Sequence, residues 1–194
     1  MFPAPFAKSF VINRCVDAGR LHTLTPRLRA LGADAERFPA IADPSPERSC
    51  AMTHAEVVRE ARRRNLTSVL ILEDDVVFHP YLPALWPRVA AQLACVPYDV
   101  FYLYRWESPR DEWPCDVVKA GGTLCTHCYA VHARYFDGFI GLVESNLHRA
   151  VDVVLRDTRE AAFYATSVNL AGQDAGISLI DHLRKPVRWR RSDG

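Results

Sequence analysis

No run of this 194-residue sequence approaches the ~18 consecutive apolar residues that a membrane-crossing helix requires. The opening MFPAPFAKSFVINRC lacks the cationic stretch and the roughly 7–15-residue apolar core of a secretory leader. A surplus of one charge is missing too. Lys and Arg number 24 against 23 Asp and Glu, which removes any global electrostatic reason to expect a nucleic-acid partner. There is no internal repeat and no low-complexity linker, so a single domain over 1–194 is expected. Cysteines are few: Cys15, Cys50, Cys95, Cys115, Cys125 and Cys128. Without a leader they read as reduced thiols of a cytoplasmic protein. The basic tail, about 184–194 (RKPVRWRRSDG), is expected to be solvated; it is the one place suited to peripheral contact with phosphates or anionic lipid.

What is there alternates between strand and helix patterns. SFVIN reads as a first strand, and GRLHTLTPRLRALG places Leu21, Leu24, Leu28 and Leu31 on one helical face with Gly32 as its stop. Pro26 falls inside that face, which predicts a kink or a helix restarted with Thr25 as its cap. AERFPAI is a second strand. In PSPERSCAMTHAEVVREARRRN, Ser45 caps, Pro46 takes the first position, and Cys50, His54, Val57, Val58 and Ala61 form an apolar stripe opposite the arginines. A Pro-punctuated helix (YLPALWPRVAAQLACV), strands at DVFYLY and DVVKA, a strand turning into a helix (CYAVHARYFDGFIGLVESN), a helix (HRAVDVVLRD) and a late strand (AFYATSVNL) follow. Such alternation predicts an α/β fold with a largely parallel central sheet and helices on both faces.

The stretch SVLILEDDVVF sets three carboxylates, Glu73, Asp74 and Asp75, at the end of a buried strand. Neighbouring carboxylates ~5 Å apart at an effective dielectric of ~20 repel by about 3 kcal/mol, so a counterion is needed. Strand alternation would send Glu73 and Asp75 to one side and Asp74 to the other, where the first two could share one hard divalent cation. A bland alternative is a set of carboxylates capping the next segment or paired with arginines.

FVIN with Arg20 and Leu21 after it, ALG, ERFPAI, SCAMTHAEVVREA and VLILEDDVVF, in that order, resemble glycosyltransferase family 25, which includes lipopolysaccharide glycosyltransferases and procollagen galactosyltransferases. The likeness is dense over about the first half of the chain and thins afterwards to THCYAVHARYF, AVDVVL and QDAGIS. It implies a GT-A type nucleotide-sugar-binding fold, a UDP-sugar donor and a Mn²⁺ or Mg²⁺ ion held by a DxD-like motif. Galactose or a related hexose would pass, with inversion, to a hydroxyl of a glycan, lipid-linked saccharide or protein acceptor. On this resemblance Glu73 and Asp75 hold the metal, with His182 or Asp181 closing its shell. Asn13, Arg20 and Asp74 face the donor nucleotide. Asp152 is the general base, with His127 as the alternative. His54 matches the family's S-H position, although its place on the buried stripe reads as a hydrogen-bonded core histidine.

The sequence departs from the pattern at Arg14 and Cys15, at Pro26, and at Arg48 and Ser49. Two other readings stand beside this one. A catalytically silent relative would bind a sugar nucleotide or a partner. Cys125, Cys128 and His132, with Cys115 upstream, could instead hold structural Zn²⁺ or form a redox pair.

Overall fold

The computed structural model describes residues 2–106 and 116–174, and the backbone of two short strands beyond them. Its first half runs β1 (Lys8–Asn13), α1 (Ala18–Ala30), β2 (Ala35–Pro39), α2 (Pro46–Arg63), β3 (Ser68–Glu73), β4 (Val76–Phe78) and α3 (Leu82–Leu93). The second half runs β5 (Val100–Tyr102), β6 (Val117–Lys119), β7 (Cys128–His132), α4 (Phe136–Glu144), α5 (Val151–Asp157), β8 (Phe163–Thr166), β9 (Ala171–Gln173), β10 (Gly176–Ile177) and β11 (Arg184–Lys185).

Seven strands form one sheet in the order β2-β1-β3-β7-β5-β8-β6. The α/β expectation holds, with a qualification on strand direction. β2, β1, β3, β5 and β8 run one way, whereas β7 and β6 run against their neighbours. Val69 to Leu72 of β3 are completely buried, as a strand covered on both faces must be. Alternate side chains feed two cores. Val11, Leu70, Leu72 and Phe101 pack with Leu24 and Leu28 of α1 and Trp86 and Val89 of α3. Phe10, Val69, Ile71, Tyr102 and Tyr129 pack with Val57 and Val58 of α2, Phe139 of α4 and Leu155 of α5.

The α2 stripe is as predicted. Ser45 Oγ accepts from Arg48 N at 3.2 Å and Pro46 opens the helix. On its outer face Arg59 pairs with Glu56 and Glu144, and Arg62 with Asp137, tying α2 to α4. The expected break at Pro26 does not occur: α1 continues from Ala18 to Ala30. Thr25 is an interior residue, not a cap, and its hydroxyl donates back to the Leu21 carbonyl at 2.8 Å. Burial of Leu24 and Leu28 on either side of the proline holds the helix together. Gly32, at φ 72°, ends this segment in the left-handed region that glycine adopts without strain.

The strand pattern was expected to carry through the acids, but β3 stops at Glu73. Asp74 and Asp75 make a two-residue turn, after which β4 leaves the main sheet to pair antiparallel with β9. The predicted alternation therefore fails beyond Glu73, and a single guanidinium, that of Arg20, reaches both Asp74 and Asp75.

Candidate functional site

A cleft of about 650 Å³ opens over the ends of β1 and β3 and is walled by the start of α2, the segment before β7 and the start of α5. It lies at the carboxyl ends of the parallel strands, where α/β sheets bind ligands.

Its floor is the acid turn. Asn13, buried at the end of β1, donates from Nδ2 to Asp74 Oδ2 at 2.7 Å and to the Asp17 carbonyl at 3.0 Å; its Oδ1 accepts from Arg37 Nε at 3.0 Å. The residue thus fastens the start of α1 to the end of β3. Arg20 donates to Asp74 Oδ1 at 3.3 Å and lies 3.7 Å from Asp75 Oδ2. Burial works to lower the Arg20 pKa, but the bond to Asp74 and the charges of Asp74, Asp75 and Asp17 outweigh it and raise the net value. Burial also raises Asp74, against the opposing bonds from Asn13 and Arg20.

Glu73 faces a different set of partners. Its Oε1 accepts from Thr126 Oγ1 at 3.2 Å and stands 3.5 Å from His54 Nε2. Burial acts to raise this carboxyl, yet His54, His127 and Thr126 together bring it below its ordinary value. His54 is 1% exposed, and its Nδ1 meets the Tyr129 hydroxyl at 2.8 Å, so it is the hydrogen-bonded core histidine that the α2 stripe predicts. It also touches the site, because the stripe runs out over the end of β3.

Asp75 is the least compensated acid. Gln173 Nε2 donates to its Oδ2 at 2.8 Å, while Oδ1 is buried and meets no hydrogen-bond donor among the described residues. Burial, then the charge of Glu73, push its pKa to about 7, despite Gln173 and Arg20. An all-oxygen set with one buried, unpartnered carboxylate oxygen suits a hard divalent cation.

The candidate bases come from α5 and from the segment before β7. Asp152, in the first turn of α5, accepts from Cys125 N at 3.0 Å and from Val153 N at 2.8 Å. His127 is buried, its ring 4.5 Å from that of Tyr104, and its carbonyl accepts from Glu73 N at 3.0 Å. Asn13, Arg20, Glu73, Asp74, Asp75, His127 and Asp152 all line the one cleft. Asp181 and His182 lie outside the described residues, as does Cys115.

Cys128 and His132 stand at opposite ends of β7, about 13 Å apart at strand rise, too far to share one ion. The proposed Cys-x-x-Cys-x-x-x-His zinc site is therefore not assembled. Cys15, Cys50, Cys95, Cys125 and Cys128 are all thiols rather than disulfides. Among the described residues no helix is long and apolar enough to cross a membrane.

Three cleft residues escaped the site reading of the sequence. Thr126 and Gln173 hold the acids, and Cys50 stands beside His54. Gln173 begins the QDAGIS stretch and Thr126 sits in THCYAV, so both motifs were visible, but nothing in either indicates which carboxylate it would meet.

No protein-family model matches the sequence, and no curated protein matches it. Among solved structures, the chain is similar to a glycosyltransferase involved in the glycosylation of the major capsid of PBCV-1, at 11% identity and a TM-score of 0.41. That likeness covers 71% of this chain and 66% of the other, just under two thirds. It is also similar to mannose-1-phosphate geranyltransferase from Thermus thermophilus, at 11% identity and a TM-score of 0.39, over 81% of this chain and 72% of the other. Likenesses of this extent leave function to be argued from the site.

Proposed function

We propose that the chain is a metal-dependent glycosyltransferase. It moves a hexose, galactose or a close relative, from a UDP-sugar to a hydroxyl of a glycan, lipid-linked saccharide or protein acceptor. The observation that carries this reading is the uncompensated Asp75 Oδ1 in an acid-lined cleft at the carboxyl edge of the parallel strands. Among the described residues, Asp17, Asp43, Glu73, Asp74, Asp75 and Asp152 line that cleft against Arg14 and Arg20 as the strong cations. A diphosphate would be repelled from it without a cation of its own. The finer assignment, to glycosyltransferase family 25, rests on the ordered motifs from FVIN to EDDVV and supplies the donor class.

Asp75 and Glu73 would hold a Mn²⁺ or Mg²⁺ ion, with His182 completing its shell. Such an ion, when bound, stabilises the charge that develops on the leaving nucleotide. Asn13 and Arg20 fix Asp74 at the donor side of the cleft, and Arg20 presents a guanidinium suited to phosphate. Asp152 takes the proton from the acceptor hydroxyl as that oxygen attacks opposite the leaving phosphate, which gives inversion. The N–H groups of Cys125 and Val153 donate to its two oxygens and hold the carboxylate in one orientation. His127 is the second candidate for the proton.

The test needs no knowledge of the acceptor. The protein is incubated with UDP-, GDP- and CMP-sugars with Mn²⁺ or with EDTA, while thermal shift and donor hydrolysis are followed. UDP-sugars should stabilise it only when Mn²⁺ is present. Equal UDP affinity with and without EDTA would overturn the metal role.

A further inference from the structure

Cys50, His54 and Glu73 each offer a ligand atom, and the three atoms lie within 4.8 Å of one another. Cys50 and His54 are one helical turn apart on α2, so both point at the end of β3 where Glu73 stands. His54 Nε2 and Glu73 Oε1 are 3.5 Å apart, beyond the usual ~2.7–3.2 Å of an N–H···O bond. That spacing is close to the edge of a tetrahedron whose bonds are about 2.0 Å, roughly 3.3 Å. The Tyr129 hydroxyl holds His54 Nδ1 at 2.8 Å, which fixes the ring and aims Nε2 at Glu73, as outer partners of metal-bound histidines do.

We infer that Cys50, His54 and Glu73 form a binding site for a borderline-soft divalent cation of the Zn²⁺ class, one that shares Glu73 with the proposed hard-cation position but takes no ligand from Asp75. The donor set decides the class. One thiolate, one imidazole and one carboxylate favour zinc over magnesium or manganese, whereas Asp75 offers oxygen alone. All three side chains line the cleft, so the fourth position faces it and takes water or a bound molecule. Binding deprotonates the Cys50 thiol and releases its proton to solvent. In the metal-free protein that thiol stays neutral, because burial and then the charges of Glu73 and Asp152 raise its pKa. Zinc at this site also commits Glu73, so occupancy would draw that carboxylate away from Asp75.

The site is tested by metal binding alone, in a background with the exposed Cys15 and Cys95 replaced by serine. Zn²⁺ is titrated against a chromogenic chelator, and Co²⁺ is followed by absorption. One equivalent of Zn²⁺ should bind, and Co²⁺ should give a thiolate-to-metal charge-transfer band. Cys50→Ser should abolish the band. Tyr129→Phe, which keeps every ligand, should weaken Zn²⁺ binding by about 10–100-fold. Asp75→Asn should keep the charge-transfer band, because Asp75 supplies no ligand atom to this site. A Co²⁺ complex of the parent protein without the band overturns the site whatever the variants do, as does a band that survives Cys50→Ser.

Discussion

The side-chain amide of Gln173 donates to Asp75 Oδ2 at 2.8 Å across 98 residues of chain. The bond exists because β4 leaves the main sheet and pairs with β9, with Val76 opposite Gln173. The Asp174 N–H then donates to the Asp75 carbonyl at 2.7 Å, so both backbone and side chain of the turn are clamped from the late segment. One oxygen of Asp75 is thereby oriented and the other is buried without a hydrogen-bond donor among the described residues.

Replacing Asp75 with Asn keeps the shape and removes one charge from the proposed cation position. Metal-dependent binding of UDP should weaken by more than about tenfold, the lower bound set by changes to mere outer-shell partners. Isothermal titration with and without Mn²⁺ measures it, and a metal-dependent affinity equal to that of the parent would remove Asp75 from the site.

The same residue predicts a pH dependence of stability in metal-free protein. Its folded pKa of about 7 is raised above the ordinary carboxylate value, so between roughly pH 4 and 7 the folded state holds a proton that the unfolded state has lost. Asp75 therefore makes stability fall as pH rises through that window, the reverse of Glu73, whose lowered pKa favours the ionised folded form. Asp75→Asn should raise the metal-free Tm at pH 8 and leave it nearly unchanged at pH 4. Parallel Tm curves for the two proteins across this range would contradict the assignment.

Much of the fold follows from local pattern. Leucines in α1, the Ser45-Pro46 start of α2 and the run Val69 to Leu72 each specify their element through periodicity or capping, which neighbours in sequence determine. The failures were non-local. Pro26 is carried through α1 by buried leucines on either side, and the acid turn exists because β4 has a partner almost a hundred residues later. The site divides the same way. Carboxylates after a buried strand announce that something cationic is required, but Thr126, Gln173 and Cys50 reach them only through the sheet order.

Gly122 bears on the position of the proposed base. A Cβ built there would lie 2.0 Å from the Leu155 carbonyl oxygen of α5, a contact with backbone that no rotamer change relieves. Gly122→Ala should cost about 1–3 kcal/mol, the usual range for overpacking, read from the midpoint of urea unfolding. Because α5 carries Asp152, turnover should drop along with stability. An unchanged midpoint would show that α5 can move away freely.

Asp152, in the first turn of α5, and Asp75, after β3, line the same cleft, and inversion requires the base to meet the acceptor hydroxyl on the side of the sugar away from the leaving phosphate. Both Asp152 oxygens already accept backbone N–H groups, so the carboxylate is oriented before any acceptor arrives. Asp152→Asn keeps the size of the side chain and removes its ability to take a proton. Donor binding should persist, measured as the Mn²⁺-dependent thermal shift with UDP-sugar, while turnover falls by about 10²–10⁴-fold. Loss of donor binding along with turnover would make Asp152 a structural support of the loop at Cys125. Retained turnover in Asp152→Asn together with a comparable loss in His127→Ala would move the proton to the imidazole that faces the same cleft.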